Sequence, residues 1–305
     1  MRTLRVASID QPVSQQPRLG VGRIIWGTTR RFAKSSPIGA LSGALLIALV
    51  LVAIFADQVA PYHPLEADFK SLRHPPSAEH WLGTDNLGRD VLSRLIYGAR
   101  LSLFVALVST VVGKLIGLAW GILSGYTGGA FDLTSQRAID VLLAFPGIIL
   151  AMLLLAALGG GLGTVIIAIT VLSVAGTVRV IRSVVLSVKE MAYVEAARAV
   201  GASSLRIMVR HVAPQTMSPL LVVFSAALGG AIFAEAALSF LGLGIPQPIP
   251  SWGNMLGGVL ADQFRPKWWL VVFPGLTITL TILAFNLVGD ALRDHWDPKL
   301  GERPS

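Results

Sequence analysis

The sequence predicts an all-α membrane protein with six transmembrane helices, and two observations carry that reading. Of its 305 residues, 53% are hydrophobic and only 14% charged, against about 25% charged in a typical soluble domain; the mean hydropathy is +0.68. The apolar residues are also gathered into unbroken runs rather than alternating with polar ones. Such runs suit helices that satisfy their own backbone within a ~30 Å hydrocarbon core, not barrel strands.

The runs follow in order. Residues 38–56 carry no charge, 101–125 carry only Lys114, and 141–159 carry none. Residues 164–178 form a shorter run that continues as a helical pattern. Residues 220–241 contain only Glu235, and 268–289 contain no charge. The 37 residues ahead of the first run, and its length beyond a 7–15-residue signal core, mark it as a retained anchor.

Between the spans, 57–98 and 242–267 are expected outside. Residues 126–140 are expected as an inner link, 159–162 as a tight outer turn and 179–216 as a cytoplasmic loop. The tails 1–37 and 299–305 are expected in the cytoplasm, flanking a permeation domain at 38–298.

The net charge of +8 follows this topology and does not suggest nucleic acid. Residues 1–37 hold seven Lys/Arg and one acid, and 179–216 hold six and two, whereas 57–100 hold five Lys/Arg against six acids. Excess Lys/Arg stays on the cytoplasmic side, so both termini are expected inside a plasma or inner membrane. No cysteine is present, which removes disulfides and thiol chemistry.

The most informative stretch is the polar, basic segment 193–214. Tyr193 to Val200 contains Glu195-Ala196-Ala197-Arg198 and predicts about two helical turns, roughly 12 Å long. Gly201 can take the left-handed conformation that stops a helix, Ser203 can cap the next, and Pro214 marks the start of the fifth span.

Elsewhere, Gly113, Gly117, Gly121 and Gly125 recur every four residues and leave one helix face nearly bare backbone. That face could pack within the chain or against a second subunit. Lys114 and Glu235 are intramembrane charges, which points to function; helix rise puts them roughly 10 Å apart in depth, so pairing is not favoured. The structural alternative for Lys114 is a snorkelling or lumen-facing cation.

His63, His74 and His80, with Glu66, Asp68 and Glu79, match no tight ligand spacing, so no metal is expected. There is no Gly-x-x-x-x-Gly-Lys-[Ser/Thr], no His-Glu-x-x-His and no histidine within a span. The chain therefore carries neither a P-loop nor a protease constellation.

Taken as a set, these motifs resemble one family. The segment from Glu195 to Gly201, with Pro214, resembles the cytoplasmic EAA loop of ABC importer permeases. Residues 80–94, 140–146 (Asp-Val-Leu-Leu-Ala-Phe-Pro), 235–244 and 250–256 resemble the C-type permease subunit of dipeptide, oligopeptide and nickel importers, across about 37–298. The loop departs from the family only in ending His211-Val212-Ala213-Pro214 rather than Ile-x-Leu-Pro.

The resemblance implies a type I importer permease that imports peptides or similar small solutes and is not itself an enzyme. It implies ATPase coupling through Glu195, Ala196, Ala197, Arg198, Gly201 and Pro214. It also implies an outer gate or binding-protein contact at Trp81, Gly83, Thr84, Asp85, Gly88, Arg89, Asp90 and Trp252. The implied partners are a homologous second permease, two cytoplasmic ATP-binding subunits that carry ATP and Mg, and an extracytoplasmic solute-binding protein. The alternative is a stand-alone ion-coupled transporter, which would need broken helices and paired intramembrane charges.

Overall fold

The computed structural model describes residues 36–260 and 267–296. The tail 1–37, apart from its last two residues, and the tail 299–305 lie outside the described residues. All the regular elements described are helical. They are α1 (Pro37–Ile54), α2 (Ala56–Val59), α3 (Val91–Thr127), α4 (Gly129–Ala144), α5 (Gly147–Leu158), α6 (Leu162–Val188), α7 (Ala192–Ala199), α8 (Ser204–Ile207), a π-turn (Met208–Val212), α9 (Ala213–Phe240), α10 (Trp252–Leu260) and α11 (Trp268–Trp296).

Five stretches are long and apolar enough to cross a membrane: α1, α3, α6, the run from Ser204 to Phe240, and α11. The sixth is a pair, α4 and α5, bent by 94°. The unbroken third span expected at 141–159 is thus corrected, and so is the plain inner link at 126–140. Phe145 is extended, with φ −89° and ψ 140°, because Pro146 crowds the residue before it out of the helical region. The helix that restarts at Gly147 has only 12 residues, about 18 Å at 1.5 Å each, too short to cross alone. Two ion pairs tie α4 to α6: Arg182 to Asp132 through Nε at 2.6 Å, and Arg179 to Asp140 at 2.5 Å.

The second span is longer than its apolar run. Asp90 caps α3 by accepting from the Ser93 amide at 2.8 Å, so the helix begins inside the segment expected as external loop. Its glycine face packs within the chain. A methyl added at Gly113 would lie 2.6 Å from Ser173 Cβ, and at Gly117, 2.5 Å from Thr177 Cβ. At Gly121 the neighbour is Ile181 at 2.9 Å, and at Gly125 it is Val185 at 3.0 Å. Both numberings rise together, so α3 and α6 run parallel, as the second and fourth crossings of an alternating chain must. Small residues permit this approach because lipid supplies no hydrophobic drive between helices.

The buried residues form two main layers. The larger contains Val91, Leu95, Val105, Ile169, Ile232, Leu238, Trp252 and Trp269. The second contains Ile122, Ile181, Val185, Val188, Val194, Ile207 and Val212, and it joins α3, α6, α7, α8 and the π-turn.

Candidate functional site

The cytoplasmic segment is built around the short helix expected there. Met191 is extended ahead of α7. At the other end Gly201 has φ +82°. Its amide donates to Arg198 O at 3.0 Å, and the Ala202 amide donates to Ala197 O at 3.0 Å. These two bonds form a complete Schellman stop, which demands a left-handed residue at position 201. Ser203 then caps α8 by accepting from the Arg206 amide at 3.4 Å.

One face of α7 is rooted and the other is free. Val194 is fully buried in the second layer, with Ala197 packed against it. Glu195, Ala196, Arg198 and Ala199 are exposed. Beyond them, Val200 is 84% exposed, Leu205 68% and Val209 60%. Pro214 lies just inside α9, which continues from α8 through the π-turn. Lacking an N–H, Pro214 cannot bond Arg210 O and its ring crowds that carbonyl. The turn before it widens instead, with the Ala213 amide reaching back to Met208 O.

The outer segment is a wired knot. Asp85 pairs with Arg89 at 2.7 Å and with Arg94 at 3.4 Å, and Arg94 also donates to Pro64 O at 3.0 Å. Asp90 accepts from Ser93 and meets His80 Nδ1 at 3.0 Å. Thr84, fully buried, donates to Ser71 O and accepts from the His74 amide. Gly83 and Gly88 both have positive φ, and a methyl at Gly88 would collide with the Asp68 carbonyl. So Gly83, Thr84, Gly88, Arg89 and Asp90 hold the knot from within, while Trp81 stands 69% exposed on it.

Trp252, grouped by sequence with the outer contacts, has no accessible surface. Its ring N–H donates to Leu95 O at 3.0 Å and its amide to Ser102 Oγ at 3.3 Å. A buried indole needs such a partner, and here it fastens α10 to α3.

Glu235 is completely buried. Ser102 donates to Oε2 at 2.9 Å, and Ser239 donates to Oε1 at 2.8 Å. Lys114 is buried a dozen residues further along α3, roughly 18 Å below Ser102 by helix rise. Its Nζ donates to Thr177 Oγ1 at 2.9 Å. The two charges are therefore not paired.

The external histidines go separate ways. His63 Nδ1 faces the Leu65 amide, His74 faces Pro75 O, and His80 faces Asp90. Outside the spans, the Asp57 carboxyl is held below its usual range by hydrogen bonds from Tyr97 and then Arg100. Asp68 is lowered by the Lys70 amide and the Ser71 hydroxyl.

Ser239 lies one turn from Glu235 and was legible as a partner. Ser102 was not, because nothing local links positions 102 and 235. Val194, the root of α7, was hidden as well, since a lone Val in a polar helix carries no pattern.

Comparison with known proteins agrees with this geometry. The chain is 41% identical over 272 residues to the glutathione transport system permease protein GsiD of Pectobacterium atrosepticum, covering 89% of this chain and 90% of that one. It is 44% identical over 273 residues to the protein of that name in Escherichia coli O157:H7, covering 89% of each. Among solved structures it superposes on the inward-facing MetNI methionine ABC transporter with TM-score 0.55 at 20% identity, over 66% of this chain and 95% of that one. An amino acid ABC transporter with histidines gives TM-score 0.50 at 16% identity, over 67% and 92%.

Those likenesses show a type I importer permease fold. Residues 25–76 match the N-terminal TM domain of oligopeptide transport permease C. Residues 117–302 match the binding-protein-dependent transport system inner membrane component, and with these matches the chain belongs to that family, as a peptide-type permease subunit of an ABC importer in the inner membrane.

Proposed function

We propose that this subunit forms half of a translocation path with a homologous second permease. Two cytoplasmic ATPase subunits drive it through the segment around α7, and an extracytoplasmic binding protein delivers the cargo. ATP and Mg bind, and hydrolysis occurs, on the ATPase subunits rather than here. The cargo is a peptide or similar small solute, a class supported by relatives named for glutathione. Both termini face the cytoplasm.

The observation that carries this reading is the rooting of α7. Its exposed face offers Glu195, Ala196 and Arg198 to a partner, while Val194 sits in one buried layer with Ile122 of α3, Ile181 and Val185 of α6, and Ile207 of α8. A partner that moves α7 must therefore move several spans. A ligand shifts a conformational equilibrium only through differential contact with its two states, and this rooted helix is where such contact can act. On the outside, exposed Trp81 and Phe69 support a binding-protein contact. The buried residues Gly83, Thr84, Gly88, Arg89 and Asp90 shape that contact from within.

The test is ATPase stimulation by loaded binding protein in the reconstituted importer. Glu195→Lys removes a specific acidic contact and adds repulsion near Arg198. It should insert normally, retain the ATPase subunits poorly and lose stimulated hydrolysis and uptake. Full stimulation and uptake in that variant would sink the coupling role.

A further inference from the structure

The geometry points to a lipid site: the groove between α1 and α3 seats an acyl chain of phosphatidylethanolamine, and Arg100 with Asp57 reads its headgroup. The site is separate from the coupling segment. It uses the topology proposed above only to place the lipid in the outer leaflet.

The groove has a volume of about 660 Å³, within the usual range for small-molecule sites. Val50 and Ile54 line it from α1, and Leu103, Phe104 and Leu107 line it from α3. Four of these five, all but Leu103, are exposed. Arg100 stands at one end, and the seven residues from it to Leu107 span roughly 10 Å of helix. That is about two-thirds of one leaflet of a ~30 Å hydrocarbon core.

The polar end holds both charges. Arg100 Nε donates to Ala53 O at 2.9 Å, and Nη2 donates to Ile54 O at 3.0 Å and to Asp57 Oδ2 at 3.1 Å. Those bonds use three of the five guanidinium N–H groups. The two on Nη1 have no acceptor among the described residues. Asp57 Oδ1 accepts from Tyr97 at 2.8 Å, and its carboxylate is still open to solvent. Capping the end of α1 accounts for Nε and Nη2, but not for Nη1 or the groove beneath. A cation and an anion thus stand side by side at the mouth of an apolar groove, where a phospholipid headgroup meets its chains.

This pairing narrows the occupant. A phosphate oxygen suits the free N–H groups of Arg100, as a charge-assisted bond. A purely anionic headgroup would also face the exposed carboxylate of Asp57. The outer segment 57–100, with five Lys/Arg against six acids, adds no net attraction for anionic lipid. Phosphatidylethanolamine supplies a primary ammonium that donates to Asp57. Phosphatidylcholine has the same net charge, but its quaternary nitrogen carries no N–H. A lipid seated here also touches Ile249 and Pro250, just ahead of the α10 that Trp252 fastens to α3.

The experiment uses the complete importer in nanodiscs and phosphatidylethanolamine carrying a diazirine on its acyl chain. Photocrosslinks should map to residues 50–54 and 101–107. Unlabelled phosphatidylethanolamine should compete about tenfold or more better than phosphatidylcholine or phosphatidylglycerol of the same chains, as expected for one added charge-assisted hydrogen bond. Arg100→Gln should weaken competition by all three. Asp57→Asn should abolish the preference for phosphatidylethanolamine over phosphatidylcholine and improve phosphatidylglycerol, a reversal that simple loss of folding does not produce.

Equal competition by the three lipids, or a full preference retained in Asp57→Asn, would overturn headgroup reading. Crosslinks in the isolated subunit that vanish in the complete importer would give the groove to the second permease and overturn the lipid. Crosslinking in nanodiscs is blind to sidedness, so an inverted topology would move the site to the other leaflet without mimicking either failure.

Discussion

Ser102 on α3 donates its hydroxyl to the carboxyl of Glu235 on α9 at 2.9 Å, and the same Ser102 oxygen accepts from the Trp252 amide at 3.3 Å. One buried polar chain thus joins α3, α9 and α10. Leaving a buried hydrogen-bonding group unpartnered costs about 1–3 kcal/mol. Glu235→Leu strands both serines and should lower stability by about 2–6 kcal/mol, summing two such losses. Glu235→Gln keeps an acceptor for one serine and a donor for the other, and should stay within about 1 kcal/mol of wild type. Thermal unfolding in detergent compares them; equal losses would remove the hydrogen-bond explanation.

The α3–α6 contact makes an equally sharp contrast. Gly117→Leu would drive its side chain into Thr177, where a methyl already lies 2.5 Å from Cβ. Overpacking of this kind costs about 1–3 kcal/mol or more, so folded protein should fall steeply. Gly176→Ala, on the open side of α6 where nothing lies within 4 Å, should fold at wild-type yield. Fluorescence-detected size exclusion reads both, and normal folding of Gly117→Leu would contradict the close packing.

At Gly201 the backbone itself makes the prediction. A φ of +82° costs an L-residue about 1–2 kcal/mol, more with a β-branched side chain. Gly201→Val should displace α7 and lose ATPase retention, whereas Gly201→Asn, which tolerates this region, should recover most of it. Loss in both variants alike would argue against the Schellman stop as the cause.

Topology can be read chemically, because the chain has no cysteine. Ser93 is fully buried and makes a poor probe, whereas Ala78 and Ser203 are exposed. In intact cells an impermeant thiol reagent should label Ala78→Cys and spare Ser203→Cys. Labelling of Ser203→Cys alone would invert the orientation.

Asp57 supplies a pH signature. Its folded pKa is depressed by Tyr97 and Arg100, so its contribution is fully present above the unfolded value near pH 4 and is lost as pH falls through the lower folded value. Asp57→Asn should unfold at a lower temperature than wild type from neutral pH down to about pH 4 and converge with it below. A gap that widened on acidification would reverse the assigned sign.

Much of this protein could be read directly from the chain. Continuous apolar runs determined the spans, because a lipid solvent forces the backbone to satisfy itself within each segment. The helix around Glu195, its stop at Gly201 and the cap at Ser203 were legible for the same local reason: propensity, left-handed tolerance and capping act within a few residues. What only the tertiary structure decided is where those pieces meet. A bare glycine face at 113–125 invites any close partner, and packing alone assigned it to Ser173, Thr177, Ile181 and Val185 of α6. The run at 141–159 read as one unbroken span, and only the structure showed the 94° turn between α4 and α5, where Asp132 of α4 meets Arg182 of α6. Glu235 announced a buried carboxyl without naming Ser102, and Trp252 looked external until its ring was found beneath the outer surface. Each of these is a pairing between residues remote in sequence, and no local rule carries the loop closure that brings such residues together.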